Sequence, residues 1–163
     1  TYSIKGEFAN NNINNNLKFE KGVIGMARSD YSSYGLTEEG YNSGSSQFFI
    51  VTTDKKETLD SLNYNYASFG KVIEGYEVVE AISNVKVTTE EGSSEASKPE
   101  NAPVIKSIRV DTFGAKYKKP ETINYDKVLQ TVQEYQKYYQ QLFNNSSTTN
   151  VKTETADDNQ TAQ

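Results

Sequence analysis

The sequence predicts a mainly β domain followed by one amphipathic helix, and three of its features carry that prediction. Short runs rich in aromatic and β-branched residues, at 22–27, 47–51, 66–73 and 103–110, alternate with polar stretches of Gly, Ser and Asn that favour turns. Tyr125, Val128, Val132, Tyr135, Tyr139 and Leu142 recur at 3-4-3-4-3 spacing, the period of a single helix face. Residues 144–163 hold almost no apolar side chains and are expected to be disordered. The expected division is therefore a β domain over 1–118, a linker and helix over 119–143, and a polar tail over 144–163.

The chain has 163 residues, enough for one domain and a tail. Its hydrophobic content is 34%, with 12 Tyr and 7 Phe but no Trp, so aromatic rings must supply much of the core. The net charge of −5 argues against a nucleic-acid partner, which needs a basic patch. No apolar run approaches the roughly 18 residues that span a bilayer, and the N-terminus shows no signal-peptide pattern.

With neither Cys nor His, the chain cannot form disulfides, zinc sites of the usual ligand kinds, or Ser–His and Cys–His nucleophile pairs. Any chemistry must come from carboxylates, amides, hydroxyls, Arg, Lys and shape; no metal and no cofactor are expected. Cytoplasmic is the default compartment. A secreted or lipid-anchored form is the alternative that the Asn/Ser/Thr-rich tail leaves open.

In chain order, residues 1–8 alternate around Tyr2 and Ile4, lack an initiator Met, and read as cut from something longer. Residues 9–16 are an Asn-rich stretch, read as a solvated connector because Asn tolerates turn geometry. Residues 22–27 read as a short buried strand, 28–46 as a long loop of the kind that lines binding sites, and 47–51 as a second strand. Residues 52–65 read as a loop and 66–73 as a third strand.

Glu74-Gly75 is a turn, and 76–82 a short helix whose Val78, Val79 and Ile82, with Val85, are expected in the core. Residues 86–102 read as a polar loop. Its Glu90, Glu91 and Glu95 could hold calcium in principle but lack the spacing of a calcium loop, so a solvated surface is favoured. Residues 103–110 alternate over their second half and read as the last strand. Asn124 is the expected N-cap of the C-terminal helix and Asp126 complements its dipole. At fewer than three heptads that helix, 124–143, is a packing helix or a weak partner helix rather than a coiled coil.

The candidate site lies where Gly44, Ser45 and Ser46 give way to Gln47-Phe48-Phe49-Ile50-Val51. Strand alternation puts Gln47 and Phe49 on one face. An amide beside a large ring suits a groove that grips a peptide backbone and cushions an apolar side chain. The same residues also suit an ordinary core strand with one polar residue at its entrance, and taken alone they favour that plainer reading.

Four segments in order change the balance: Gly22-Val23-Ile24-Gly25-Met26-Ala27, Ser45-Ser46-Gln47-Phe48-Phe49-Ile50, Leu59-Asp60, and Phe69-Gly70-Lys71-Val72-Ile73-Glu74-Gly75 with Val78-Val79 following. Together with Ile4-Lys5-Gly6-Glu7-Phe8 and Val104-Ile105-Lys106-Ser107-Ile108 they resemble the bacterial cyclophilin-type peptidyl-prolyl cis–trans isomerases, over residues 1–110. The resemblance implies a closed antiparallel barrel, of which this chain would hold about five of eight strands, one capping helix, and an active groove on the barrel's outside. It implies an isomerase of X-Pro bonds with no cofactor, whose partners are proline-containing peptides and folding proteins.

Carried over position by position, Gln47 would bind the peptide backbone, Phe49 and Leu59 would form the proline pocket, and Ala27 would line the groove. Met26 matches a strand residue. Tyr66, which stands where many members have histidine, and Arg28, where many have asparagine, are counted with them as substrate-binding residues, while Thr58 stands where eukaryotic members often have the tryptophan that favours cyclosporin. The resemblance also implies that the family's essential arginine, with a phenylalanine, a methionine and a glutamine of the groove, lies upstream of Gly6-Glu7-Phe8. No certain catalytic residue is therefore expected in this chain, and Arg28 is not that arginine. The 28–46 loop is roughly ten residues longer than the family pattern, which bears on which peptides enter.

Overall fold

The computed structural model describes residues 1–90 and 94–147. The chain divides into two compact units, 1–124 and 125–163. The centre of the first unit is a three-stranded antiparallel sheet made of β2 (Val23–Met26), β3 (Phe48–Ile50) and β4 (Ser68–Lys71), with β2 in the middle. These are the first three strands the sequence predicts. Ile24 faces Ile50, Gly25 faces Phe49 and Met26 faces Phe48 across one ladder. Across the other, Ile24 faces Gly70 while Gly25 faces Ser68, so Phe69 is the extra residue of a β-bulge.

The sheet is buried on one face. Phe19, Val23 and Val51 form the core cluster there, with Phe49, Leu59, Leu62 and Tyr66 packed around it. Gly25 belongs to the same face because of space. A Cβ there would lie 2.5 Å from Phe49 Cζ and 2.8 Å from Phe19 Cε1, closer than packed atoms approach. The absent side chain of Gly25 is what lets two phenylalanine rings close over the middle strand.

Leu59 and Leu62 reach the core from α2 (Lys56–Asn65), a helix within the stretch read from sequence as a loop. Leu59, Leu62 and Tyr66 follow helical spacing, but three apolar residues among polar neighbours are a weak signal. The stretch after β2 also holds more structure than a loop: a 3-10 turn at Ser32–Tyr34 and the short helix α1 (Thr37–Tyr41). The Asn-rich stretch is not a free connector. Asn11 Nδ2 donates to the Gly6 carbonyl, and Asn15 Nδ2 donates to the carbonyls of Glu7 (3.1 Å) and Ser68 (2.9 Å). Ser68, itself buried, donates its hydroxyl to the Leu17 carbonyl.

The first unit also contains β1 (Tyr2–Ser3) paired with β7 (Ile123–Asn124), and an exposed hairpin of β5 (Val87–Thr89) with β6 (Ala96–Pro99) in place of the predicted polar loop. Of the acidic cluster there, Glu90 pairs with Lys98 at 3.2 Å, and Glu91 lies outside the described residues. α3 (Tyr76–Ser83) forms where predicted. Its Val78 and Ile82 are exposed rather than in the core, and Val79 and Ile82 border an open recess with Ile50 and Thr52 instead of a packed layer.

The expected strand at 103–110 is not formed. These residues are irregular and exposed, since no described strand edge pairs with them and a strand exists only through its ladder. Among the described residues the strands form no closed barrel.

The second unit contains α4 (Asp126–Ser147). Asn124 is not its N-cap; it is the end of β7, paired with Tyr2, and the helix begins two residues later. Tyr125 and Val132 are buried, while Tyr135, Tyr139 and Leu142 are exposed. The helix runs to Ser147, past the predicted end at 143, and the rest of the predicted tail, 148–163, lies outside the described residues. No described helix is long and apolar enough to cross a membrane.

Candidate functional site

The structure gathers three of the six residues singled out from sequence into one cluster. Phe49 on β3 lies parallel to Phe19, with ring centroids 5.8 Å apart and planes 13° from parallel. Tyr66, just past the end of α2, meets Phe49 edge-on at 5.4 Å and 85°. Leu59 packs against the same cluster from the second turn of α2. Phe49, Leu59 and Tyr66 are each half-buried, so the cluster has an inner side in the core and an outer side facing water. The outer side of this wall is an apolar surface of the kind that lines small-ligand sites.

Ala27 and Gln47 form the neighbouring edge. The Ala27 N–H donates to the Gln47 carbonyl at 3.0 Å and carries the β2–β3 ladder one step past Met26 and Phe48. Gln47 is exposed, and the ladder beneath it fixes its backbone. That is the condition for an amide to serve a ligand rather than the fold.

Arg28 completes the set in a way the sequence did not foretell. Its Nε donates to the Asn65 carbonyl at 2.8 Å and its Nη1 to the Ser29 carbonyl at 2.9 Å. The guanidinium carbon lies 5.1 Å from the Tyr66 ring centroid, 5.1 Å from Tyr41 and 5.5 Å from Phe8. Among the described residues no carboxylate pairs with it within 4.0 Å. Its partners are two carbonyls and three ring faces, the arrangement a weakly hydrated planar cation tolerates best. Arg28 also lines a cavity of about 80 Å³ together with Ile4, Phe8, Met26, Tyr41 and Phe69.

Sequence reasoning missed Phe19, Phe8 and Tyr41 as parts of this assembly. Phe8 closes the alternating 1–8 run and Phe19 follows Leu17 at strand spacing, but neither short pattern says which rings or cation the side chain would meet. Tyr41 sits in what read as a loop. All three are placed by contacts distant in sequence.

The site offers no nucleophile, no imidazole and no metal-binding group at its centre. It offers an apolar wall, one exposed amide and a fixed cation. Three comparisons bear on its use. The family described as cyclophilin type peptidyl-prolyl cis-trans isomerase/CLD matches residues 1–110. A protein of Dickeya dadantii (strain 3937), peptidyl-prolyl cis-trans isomerase A, is 34% identical over 102 residues, covering 61% of this chain and 47% of that protein. The chain thus spans about half the length of the curated relative it matches. No solved structure matches it.

Proposed function

We propose that this chain, which belongs to the cyclophilin-type peptidyl-prolyl cis–trans isomerase family, works on X-Pro peptide bonds, with Phe49 and Leu59 receiving the proline ring, Tyr66 closing its side and Gln47 gripping the peptide backbone. The observation that carries the reading is the convergence of Phe49, Leu59 and Tyr66 on one half-buried wall beside Ala27 and Gln47. Rotation about an X-Pro bond is opposed by amide resonance, with a barrier of about 18–20 kcal/mol. Lowering it requires no covalent step. It requires a dry pocket that fixes the ring and donors that favour the twisted amide over the planar one, which is differential binding of the transition state.

The chain's arginines are Arg28 and Arg109. Arg28 spends Nε and Nη1 on the carbonyls of Asn65 and Ser29, and Arg109 lies in the exposed segment after the hairpin. Two of the five Arg28 N–H groups are thus tied to the fold, and neither arginine reaches Phe49 among the described contacts. These 163 residues by themselves therefore favour binding over turnover, and a non-catalytic proline-peptide module or chaperone is the second reading. The finer form of the fold belongs to the same proposal: no further described strand pairs with the outer edges of β3 and β4, as would be the case in an opened barrel.

The test is a titration of the chain with an Ala-Ala-Pro-Phe peptide followed by NMR, with exchange spectroscopy on the cis and trans Ala-Pro signals. Shifts confined to Phe49, Leu59, Tyr66 and Gln47 with little added exchange are expected. A chain that binds no proline peptide sinks the reading, and exchange as fast as that of a complete family member removes the claim that the chain alone is a poor catalyst.

A further inference from the structure

We propose that Tyr41 and Arg28 are positioning residues for the proline pocket. The segment that follows β2 presses Tyr41 on the Arg28 guanidinium, Arg28 passes that packing to Tyr66, and Tyr66 sets the edge of Phe49. This rests on the proline-binding reading above and adds to it what decides how tightly the pocket takes a peptide.

The chain of contacts is continuous. Tyr41 and Tyr66 each lie 5.1 Å from the Arg28 guanidinium carbon, and Tyr66 lies 5.4 Å from Phe49, edge-on. Arg28 is held where it stands by a fork of two donors. Nε takes the Asn65 carbonyl, the last of α2. Carbonyls in a helix's last turn lack intrahelical partners and concentrate partial negative charge, so a cation is favoured there. Nη1 takes the Ser29 carbonyl, at the start of the following segment. One planar side chain thus joins the end of the helix that carries Leu59 to the segment that carries Tyr41.

Tyr41 is itself fixed rather than draped over the surface. It ends α1 and meets the buried Phe8 ring edge-on at 5.3 Å. The residue before it, Gly40, passes so close to the Ser29 carbonyl that a Cβ would sit 3.1 Å from that oxygen. Ser43 Oγ accepts from the Ser29 N–H and donates to the Gly40 carbonyl, both at 2.7 Å. Asn42 Oδ1 accepts from the Gly6 N–H at 3.1 Å and from Asn11 Nδ2 at 2.9 Å, and the Ile4 N–H donates to the Gly44 carbonyl at 2.8 Å. The segment is stitched at its start and along its end, so the position of Tyr41 is set by the fold. A ring fixed in this way constrains the cation stacked on it, and the cation constrains Tyr66.

The experiment uses the 163-residue chain and two variants, Tyr41→Ala and Arg28→Lys, with Tyr41→Phe as the rescue. Two quantities are read: the aromatic NMR signals of Tyr66 and Phe49 in the free protein, and the affinity for an Ala-Ala-Pro-Phe peptide. Tyr41→Ala and Arg28→Lys are expected to move both ring signals and to weaken peptide binding by about threefold to tenfold, the range a stacked cation supplies. Tyr41→Phe, which keeps the ring, is expected to restore both. Arg28→Lys keeps the charge but loses the fork, so it remains informative if Tyr41→Ala fails to fold.

Ring signals of Tyr66 and Phe49 that stay in place in a folded variant overturn the relay. Displaced ring signals with undiminished affinity overturn its role in binding. If the wild-type chain binds no peptide while the ring signals of the variants still move, the relay stands and the proline-binding reading is what fails.

Discussion

Val23 and Val110 come from runs that look alike on paper, short stretches of β-branched residues between polar neighbours. Val23 is 0% exposed and Val110 is 82% exposed. The first run lies between two antiparallel partners and beneath Phe19, and the backbone N–H of Val51 donates to the Val23 carbonyl at 2.9 Å. The second finds no described edge to pair with. Preference for the strand conformation is a preference for a pleated, half-covered surface, and it is expressed only where the surface is supplied. The difference between the two runs therefore lies in their partners rather than in their composition.

The largest expected effect comes from removing the cover of the first run. Phe19→Ala deletes a buried ring that stacks on Phe49 and contacts the Gly25 backbone, and should cost about 3–5 kcal/mol. Urea unfolding followed by far-UV circular dichroism would read it, since the chain has no Trp. A loss under about 1 kcal/mol, the size of an ordinary surface change, would mean that the sheet's core lies elsewhere.

Gly25→Ala acts on the same place from the opposite direction. The new Cβ would have to displace the Phe49 and Phe19 rings, at a cost of about 1–3 kcal/mol. Because Phe49 is one of the displaced rings, the same variant should weaken proline-peptide binding along with stability, whereas an equal loss of stability elsewhere should not. Wild-type affinity in a folded Gly25→Ala protein would separate Phe49 from the pocket.

Against these partners, the legibility of the sequence divides in a physical way. The strands β2, β3 and β4, the helix α3 and the helix α4 announce themselves by period, because alternation and 3-4 spacing are local properties. Gln47, Phe49, Ala27, Leu59, Tyr66 and Arg28 could be named because they sit inside local motifs. What those motifs could not convey is the partner of each side chain. Arg28 stood next to Ala27 in sequence with no hint that Tyr41 and Tyr66, thirteen and thirty-eight positions on, would stack against it. α2 was hidden because its apolar face has only Leu59, Leu62 and Tyr66, and the strand expected at 103–110 was read from residues that could pair but do not. The N-cap assigned to Asn124 failed for the same reason, its backbone being taken by Tyr2.

The Asn-rich stretch offers a third and intermediate test, since composition alone read it as a connector. Asn15 Nδ2 links the Glu7 and Ser68 carbonyls, fifty-three residues away in the second case. Asn15→Ala should leave the partly buried Ser68 carbonyl without its donor and cost about 1–2 kcal/mol, more than a loop substitution costs elsewhere. A change within about 0.5 kcal/mol would return the stretch to the role its composition suggested.

The smallest expected effect falls on the exposed run. Val110→Ser and Ile108→Ser change residues that are 82% and 70% exposed and touch no described core, so each should alter stability by less than about 0.5 kcal/mol. The two substitutions gain their meaning beside amide exchange. The amides of 104–110 donate to no described residue and should exchange with solvent at close to the rate of an open chain, while that of Val51 should be protected to the level of global unfolding. Slow exchange at Val110 together with a measurable loss in Val110→Ser would mean that the run does find a ladder partner in solution. It would then be a strand of the same kind as β2, and the contrast between Val23 and Val110 would reduce to which partner is present.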